Sequence, residues 1–498
     1  MFLGIDLGSS SIKLTLFNAD EGKALASVAY PQQEMPILAP KPGFAEQDPE
    51  MWWKHFLKAF DRLRNEQGID AKAIKAIGIS YQMHGLVLVD ENQKVLRPAI
   101  IWCDSRAVEI GNKAFEALGP DYCLCHMLNS PGNFTASKLA WVKENEPELF
   151  NKIHKIMLPG DYLTMRLSKK ITTTESGLSE GVFWDFEDQE INDNLMKHYG
   201  ISTDLIPDTV AGIGAEVNID PEMALELGMN QDIKVTYRAG DQPNNAFSLN
   251  VLNTGEVAAT AGTSGVIYAV TDQNVYDQKS RINTFLHVNN SEQKSRNGIL
   301  ICINGTGIMY SWLKKLLNTG DSNIDYNEMN DMAEQVEIGS EGVMVFPFGN
   351  GAERVLENQI VGAHLMNMDF NRHEPRHIIR AGLEGIVYAM NIGFEMLADM
   401  KVPSETIRVG KSNLFLSKTF RQIFANVTAT TLELYDTDGA VGAARGAALG
   451  NGFYKTEEEA FQSLKRLEVI EPQPKEVEKY RELYSQWKNK LNSLYDHE

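Results

Sequence analysis

Residues 2–17 read "FLGIDLGSSSIKLTLF", two short apolar segments joined by the small residues Gly8, Ser9, Ser10 and Ser11. Apolar runs of this length on either side of a turn signal are typical of buried strands. The pattern predicts a hairpin that turns tightly, because none of the four turn side chains is large. Residues 256–270, "EVAATAGTSGVIYAV", repeat the pattern with Gly262 and Thr263 at the turn.

The segments between and after the two hairpins predict an α/β protein. Asp48 and Pro49 begin a stretch with helical apolar spacing, and helices are also expected at 137–150 and in a charged tail at about 475–492. Apolar strands surround the polar triplet Gln82, Met83 and His84. Because the pattern restarts near residue 234, we expect two domains, residues 1–246 and 247–498, with a terminal helix able to pack back on the first.

Composition and charge exclude several classes of protein. The 498 residues are 43% hydrophobic and carry a net charge of −20, which disfavours binding to nucleic acid or to an anionic membrane through bulk electrostatics. The N-terminus lacks the basic and long apolar segments of a secretory signal. The four cysteines show no complete metal-binding spacing. We therefore expect a cytoplasmic globular protein with reduced thiols.

The two small-residue turns can bind phosphate. Successive backbone N–H groups converge in such turns, and Ser or Thr hydroxyl groups add donors. Asp6 precedes the first turn and suits Mg²⁺, usually through water, while the Lys13 ammonium group after it suits a phosphate oxygen. Each turn alone is also consistent with an ordinary hairpin. Two of them in one chain favour a nucleotide clamped between domains.

Asp241 follows the predicted strand "IKVTY" and the small residues Ala239 and Gly240. Gln242 and Pro243 come next, so we expect neither a regular strand nor a helix there. A carboxylate at this place can take a proton from an acceptor hydroxyl group in phosphoryl transfer. A turn-forming aspartate bonded to its own backbone is the alternative from the local sequence.

These segments together resemble those of a known family. "GIDLGSSSIK", "GTSG" and "GAARGAALG" resemble the phosphate and connecting segments of the actin-like ATPase superfamily, and "FTASKLAWVKENEPELF" resembles a signature of the FGGY carbohydrate kinases. "QMHG" at 82–85 and "LRPAIIWCDSR" at 96–106 are similar to the members that phosphorylate D-xylulose. The resemblance implies two actin-like (ribonuclease H-like) domains, each a mixed sheet flanked by helices, with the active site in the cleft between them.

The resemblance also implies roles for individual residues. ATP, Mg²⁺ and a sugar, D-xylulose in pentose catabolism, are the expected ligands, with Asp241 as the base and Asp6 near the metal. The implied sugar-binding residues are Met83, His84, Asp104, Trp102 and Gln242. The implied nucleotide-binding residues are Ser9, Ser10, Ser11, Lys13, Gly262, Thr263, Gly307, Gly410 and Asn413. The resemblance is compatible with a homodimer.

Three departures from the family pattern keep alternatives open. Gln242 stands where D-xylulose kinases usually have Asn, the first turn is all serine, and "VGKSNLFLSKTF" replaces a glycine-rich adenosine segment. His84 by itself is also compatible with a core histidine. A kinase for ribulose, gluconate or glycerol is therefore an alternative. An actin-like switch ATPase and a sugar-binding protein without activity are more distant ones.

Overall fold

Two mixed β-sheets organise the chain in the computed structural model, which describes residues 1–319 and 323–495. The strands of the first sheet, in spatial order, are Lys23–Tyr30, Ile12–Asn18, Phe2–Leu7, Ala76–Tyr81, Lys234–Gly240 and Ile213–Asn218. Those of the second are Asn283–Leu286, Asn297–Ile303, Gly265–Thr271, Glu256–Ala261, Thr406–Gly410, Thr431–Tyr435 and Arg466–Ile470.

The two sheets share one topology around their hairpins. In each, an antiparallel hairpin is followed by two parallel strands and a final antiparallel strand at the edge. In the first hairpin Asp6 pairs with Lys13, and in the second Ala261 pairs with Gly265. Both hairpins quoted from the sequence are therefore present, and the second sheet repeats the architecture of the first.

Smaller strand pairs and helices surround the two sheets. The pairs are Glu46–Gln47 with Ala99–Ile100, Val87–Val89 with Lys155–Met157, Thr172–Thr174 with Asp208–Val210, Trp184–Asp185 with Glu190–Ile191, and Met344–Phe348 with Gly362–Met366. The α-helices are Pro49–Asn65, Val108–Leu118, Pro120–His126, Thr135–Asn145, Pro147–Phe150, Pro159–Ser168, Glu175–Glu180, Asp193–Tyr199, Pro221–Leu227, Asp241–Ser248, Gly307–Leu317, Tyr326–Glu334, Pro375–Asp399, Lys418–Thr428, Gly439–Gly450, Glu457–Phe461 and Pro474–Tyr495.

Local signals place several helices correctly. Asp48 caps Pro49–Asn65 by accepting a hydrogen bond from the backbone N–H of Glu50, as its position predicts. The helix expected over 137–150 is instead two helices, Thr135–Asn145 and Pro147–Phe150. The reason is Pro147, which disfavours helical backbone at the preceding Glu146.

The helix Gly439–Gly450, called the crossing helix below, comes from the second half of the sequence but packs on the first sheet. The Thr236 hydroxyl group donates a hydrogen bond to Ala447 O at 2.9 Å. A Cβ atom on Gly78 would lie 2.0 Å from Ala443 O, so the glycine permits the close approach of helix and strand. The first lobe is thus completed by residues far along the chain.

The terminal helix Pro474–Tyr495 lies on the second lobe. The Trp487 indole donates a hydrogen bond to Val345 O at 2.9 Å, and the Arg380 guanidinium donates one to the Tyr480 hydroxyl group at 2.7 Å. The expectation that this helix packs back on the first domain is therefore wrong. Its buried aromatic face matches the second lobe, and the small-residue crossing helix fills the place on the first sheet instead.

Two further features bear on membrane insertion and on disulfide bonding, both of which were considered from the sequence. Across residues 1–319 and 323–495, no helix combines the length and apolar character needed to cross a bilayer. The four cysteines, Cys103, Cys123, Cys125 and Cys302, are all free thiols.

Candidate active site

Three strands of the first sheet bring the predicted catalytic residues to one edge. Phe2–Leu7 and Lys234–Gly240 both run parallel to Ala76–Tyr81, so their carboxyl ends meet. Asp6 lies near the end of the first strand, Asp241 directly follows the second, and Gln82, Met83 and His84 directly follow the third. Residues 76 to 235 positions apart in the sequence are thereby assembled into one site.

Asp241 is the first residue of the helix Asp241–Ser248. The expectation that Gln242 and Pro243 prevent a helix is wrong, because Pro243 falls in the first turn, where the missing N–H group has no helical partner. Burial, and next the nearby Asp6 carboxylate, raise the pKa of Asp241 to about 7. Hydrogen bonding from Gln242 opposes the rise. A carboxyl group with this pKa suits a base that works near neutral pH.

Asp6 is a second carboxyl group with a raised pKa at this edge. Burial raises its pKa, and the nearby Asp438 carboxylate adds to the rise, while Ser80 and Lys13 oppose it. The Asp6 carboxylate faces Gly439 at the start of the crossing helix, where a Cβ atom would lie 2.4 Å from Asp6 Oδ2. Two carboxyl groups that raise the pKa in this way suit a divalent cation, which favours oxygen ligands and neutralises their repulsion.

The first small-residue turn is held from several sides. Gly8 N donates to Ser11 O at 3.0 Å, and the Gln47 side chain donates to Ser9 O at 2.7 Å. Ser10 is exposed, and its carbonyl oxygen accepts from Met35 N at 2.8 Å. The hydroxyl groups of Ser9, Ser10 and Ser11 thus sit on a backbone fixed by contacts to its carbonyl groups.

Lys13 makes a contact that the sequence did not indicate. Its ammonium group forms an ion pair with Asp438 at 2.7 Å, and the two side chains are 35% and 42% exposed. Asp438 also caps the crossing helix by accepting from Val441 N. The pair therefore links the first sheet to the start of the crossing helix, beside Asp6.

The second small-residue turn lines a cavity of about 500 Å³. Gly262 O accepts from Gly307 N at 2.9 Å, and a Cβ atom on Gly307 would lie 2.2 Å from that oxygen. Gly307 therefore has to be a glycine for the turn and the helix Gly307–Leu317 to touch. Of the predicted nucleotide-binding residues, the ones that line this cavity are Gly262, Thr263, Gly307 and Asn413. Gly410 ends a neighbouring strand and is absent from the lining.

His84 stands in the left-handed backbone region, with φ 60°, and is held on three sides. The Lys138 ammonium group donates to His84 O at 2.8 Å and to Ile101 O at 3.0 Å. His84 Nδ1 lies 2.9 Å from Glu180 O, and since a carbonyl oxygen only accepts, Nδ1 carries the hydrogen. Burial lowers the pKa of His84 to about 3, so the ring is neutral and Nε2 is an acceptor.

The remaining predicted sugar-binding residues differ in burial and in the hydrogen bonds that they already make. Met83 is buried beside Gly240, where a Cβ atom would lie 2.6 Å from Met83 Cγ, so it belongs to the same site as Asp241. Asp104 is buried, and both of its carboxylate oxygens accept hydrogen bonds, from Arg106 and from Ala45 N. Its carboxylate therefore joins two neighbouring loop segments, and its contact with the sugar stays a prediction. Trp102 is 52% exposed.

Sequence reasoning missed Glu180, Lys138 and Asp438. Lys138 lies within the "FTASKLAWVKENEPELF" segment, so its position was available, although its two carbonyl partners were not. Glu180 and Asp438 lie in segments with no local sign of function. Their partners, His84 and Lys13, are 96 and 425 residues away in the chain.

Comparison with known proteins places this geometry in a family. Residues 1–248 match the N-terminal domain, and residues 257–451 the C-terminal domain, of the FGGY family of carbohydrate kinases. Xylulose kinase of Bacillus subtilis (strain 168) is 29% identical over 99% of this chain and 96% of its own length. Xylulose kinase of Escherichia coli (strain K12) is 30% identical over 90% of this chain and 89% of its own length.

Solved structures confirm the predicted fold. A xylulose kinase from Lactobacillus acidophilus superposes with a TM-score of 0.88 at 23% identity, covering 99% of this chain and 98% of its own. A gluconate kinase from the same organism gives 0.87 at 23% identity, with the same coverage. A Plasmodium falciparum glycerol kinase with ADP gives 0.87 at 21% identity, covering 98% of each chain. The actin-like two-domain α/β architecture is therefore shared by enzymes with different acceptors.

Proposed function

Because the chain belongs to the FGGY family of carbohydrate kinases, we propose that it is a xylulokinase, transferring the γ-phosphoryl group of ATP to the 5-hydroxyl of D-xylulose in pentose catabolism. The single observation that carries the choice of acceptor is the placement of Met83, directly before His84, against Gly240, the residue that precedes Asp241. The two xylulose kinases quoted above, 29% and 30% identical to this chain, support the same acceptor.

Asp241 acts as the base in this proposal. As the new bond forms between the sugar oxygen and the γ-phosphorus atom, the hydroxyl proton passes to the Asp241 carboxylate. The bond between the γ-phosphorus atom and the bridging oxygen breaks, and ADP leaves. Because phosphoryl transfer depends mainly on positioning and on neutralising charge, the base takes the proton late.

The nucleotide occupies the cavity lined by Gly262, Thr263, Gly307 and Asn413, with its terminal phosphate groups toward the two small-residue turns. Asp6 would hold Mg²⁺, which neutralises phosphate charge when bound. Lys13 is close enough to this carboxylate to exchange its contact with Asp438 for one with a phosphate oxygen. Gln242 follows the base directly and would contact the sugar beside it.

A kinase of the same fold for another acceptor is the nearest alternative. The gluconate and glycerol kinases superpose on this chain about as well as the xylulose kinase does, so the fold does not discriminate among acceptors. Gln242 is the sequence feature that favours this alternative. A switch ATPase is a weaker candidate, because His84 and Lys138 form a preorganised subsite for which nucleotide binding alone has no use.

The experiment measures ADP release in a coupled assay with MgATP fixed and with D-xylulose, L-xylulose, D-ribulose, L-ribulose, gluconate, glycerol or no sugar. The proposal expects D-xylulose to give the highest kcat/KM by at least tenfold. If another sugar stimulates ADP release most, that sugar is the acceptor, and the proposed role of Asp241 stands. Equal release in every reaction, including the one without sugar, would identify a switch ATPase.

A further inference from the structure

Glu180 is a buried carboxyl group beside the acceptor residues that has no role in the proposal above. It ends the helix Glu175–Glu180 and is 2% exposed. The preceding Ser179 hydroxyl oxygen accepts a hydrogen bond from Leu286 N at 3.0 Å, which fixes this end of the helix against the second sheet. The position of Glu180 is therefore set by both lobes.

The two carboxylate oxygens of Glu180 have different surroundings. Oε1 accepts a hydrogen bond from His84 N at 3.4 Å. Oε2 lies over Gly240, where a Cβ atom would be 2.5 Å from it and 2.6 Å from Met83 Cγ. Within the part of the chain that the structure describes, the Tyr81 hydroxyl group interacts with this carboxyl group but forms no hydrogen bond of normal length. One oxygen is thus anchored by His84 N, and the other lies between Met83 and the residue preceding Asp241.

No positive charge compensates Glu180 directly. Among residues 1–319 and 323–495, no Lys, Arg or His forms an ion pair with it, and the nearby Lys138 ammonium group is engaged by two carbonyl oxygens. Burial first, and then the neighbouring Asp241 and Asp161 carboxylates, raise the pKa of Glu180 well above its usual value. A buried carboxyl group without a full set of normal hydrogen bonds is costly unless a ligand supplies a further one.

We propose that Glu180 contacts the acceptor and determines its specificity, with Oε2 hydrogen-bonding the hydroxyl group next to the one that Asp241 deprotonates. This inference rests on the proposed function, since it takes Met83, His84 and Asp241 as the acceptor site. For D-xylulose the contacted group is the 4-hydroxyl. A sugar without it would leave the buried oxygen unpaired, and a site built around a hydrogen bond rejects such an analogue strongly.

The test is a cycle that pairs changes in the enzyme with changes in the sugar. Wild type, Glu180→Ala and the volume-conserving Glu180→Met are each assayed with D-xylulose and with its 4-deoxy and 3-deoxy analogues. We expect wild type to lose about 10- to 100-fold in kcat/KM with the 4-deoxy analogue, and both variants to lose less than about threefold. The loss with the 3-deoxy analogue should be the same in all three proteins. Glu175→Gln, at the exposed start of the same helix, is the matched control and should behave as wild type.

Several results would overturn the inference. If the variants lose the same factor with every sugar, Glu180 acts only through the backbone of His84. If they match wild type throughout, Glu180 has no part in the acceptor site. Should neither variant fold, calorimetric binding of D-xylulose and its 4-deoxy analogue to Glu180→Gln decides, and an unchanged ratio of affinities refutes the contact. A wild type that phosphorylates none of the sugars refutes the proposed function and this inference together, whereas the other outcomes refute only the inference.

Discussion

Replacing Asp241 with Asn should separate catalysis from stability. The variant keeps the size of the side chain and removes the group that accepts the proton. A positioned base contributes about 10²- to 10⁴-fold to the rate, so we expect kcat to fall by that factor. The KM for ATP should change less than about twofold, because Asp241 lies at the acceptor end and is not part of the nucleotide cavity lining.

The stability of the same variant follows from the pKa. Burial raises the pKa of Asp241 from its usual value of 3.8 to about 7 in the folded protein. A group with a raised folded pKa stabilises the fold below its unfolded pKa and loses that contribution as pH rises through the folded value. At about 1.4 kcal/mol for each pH unit, the carboxylate costs up to about 4 kcal/mol above pH 7, and Asn removes this cost.

The measurement is thermal unfolding of both proteins from pH 4 to pH 8 in the absence of divalent cations, beside turnover with the best acceptor. The difference in Tm should be near zero at pH 4, grow in favour of the variant toward pH 7, and then level off. A turnover within tenfold of wild type would remove Asp241 as the base. A Tm difference that is independent of pH would refute the burial argument.

Three further predictions test the nucleotide site, the ion pair and the crossing helix. Gly307→Ala should raise the KM for ATP at least tenfold, because its Cβ atom would lie 2.2 Å from Gly262 O. The affinity for the acceptor, measured by calorimetry, should not change. An unchanged KM for ATP would contradict this contact. Lys13→Met should lower kcat at least tenfold in steady-state assays. It should cost less than about 1 kcal/mol of stability, because the ion pair with Asp438 is partly exposed. An unchanged kcat with a large loss of stability would make the lysine structural. Gly78→Ala should lower the free energy of unfolding in urea by about 3 kcal/mol or more. Gly212→Ala is the control, because a Cβ atom at Gly212 has more room. If Gly78→Ala loses no more stability than Gly212→Ala, the close packing of the crossing helix is refuted.

The sequence predicted those parts of the molecule that depend on local chemistry. The two hairpins and the helix capped by Asp48 follow from apolar spacing, small turn residues and a capping side chain. The segment after Asp241 was misjudged because a proline was treated as a helix breaker regardless of its position in the helix. Whether Pro243 permits the helix depends on the residue at which the helix begins, and the local pattern does not determine that residue.

Contacts between distant segments were beyond the same reasoning. Periodicity identifies which face of a strand or helix is buried, but not which remote side chain meets it. The ion pair of Lys13 with Asp438 and the contact of Glu180 with His84 arise only when the sheets and their connections are assembled. Asp104 shows the same limit, because the sequence does not indicate that its carboxylate accepts hydrogen bonds from Ala45 N and Arg106 N.

The crossing helix has a consequence for synthesis of the protein on the ribosome. The strands of the first sheet are complete once Gly240 has been made, yet the helix that covers one face of them ends at Gly450. Until then the apolar residues of that face, among them Phe2, Ala76 and Tyr237, lack their Ala443 and Ala447 neighbours. The nascent chain therefore has to keep this face from associating with other molecules while about 200 more residues emerge. A fragment that stops near residue 246 should aggregate, and adding residues 439–450 as a separate peptide should reduce that aggregation.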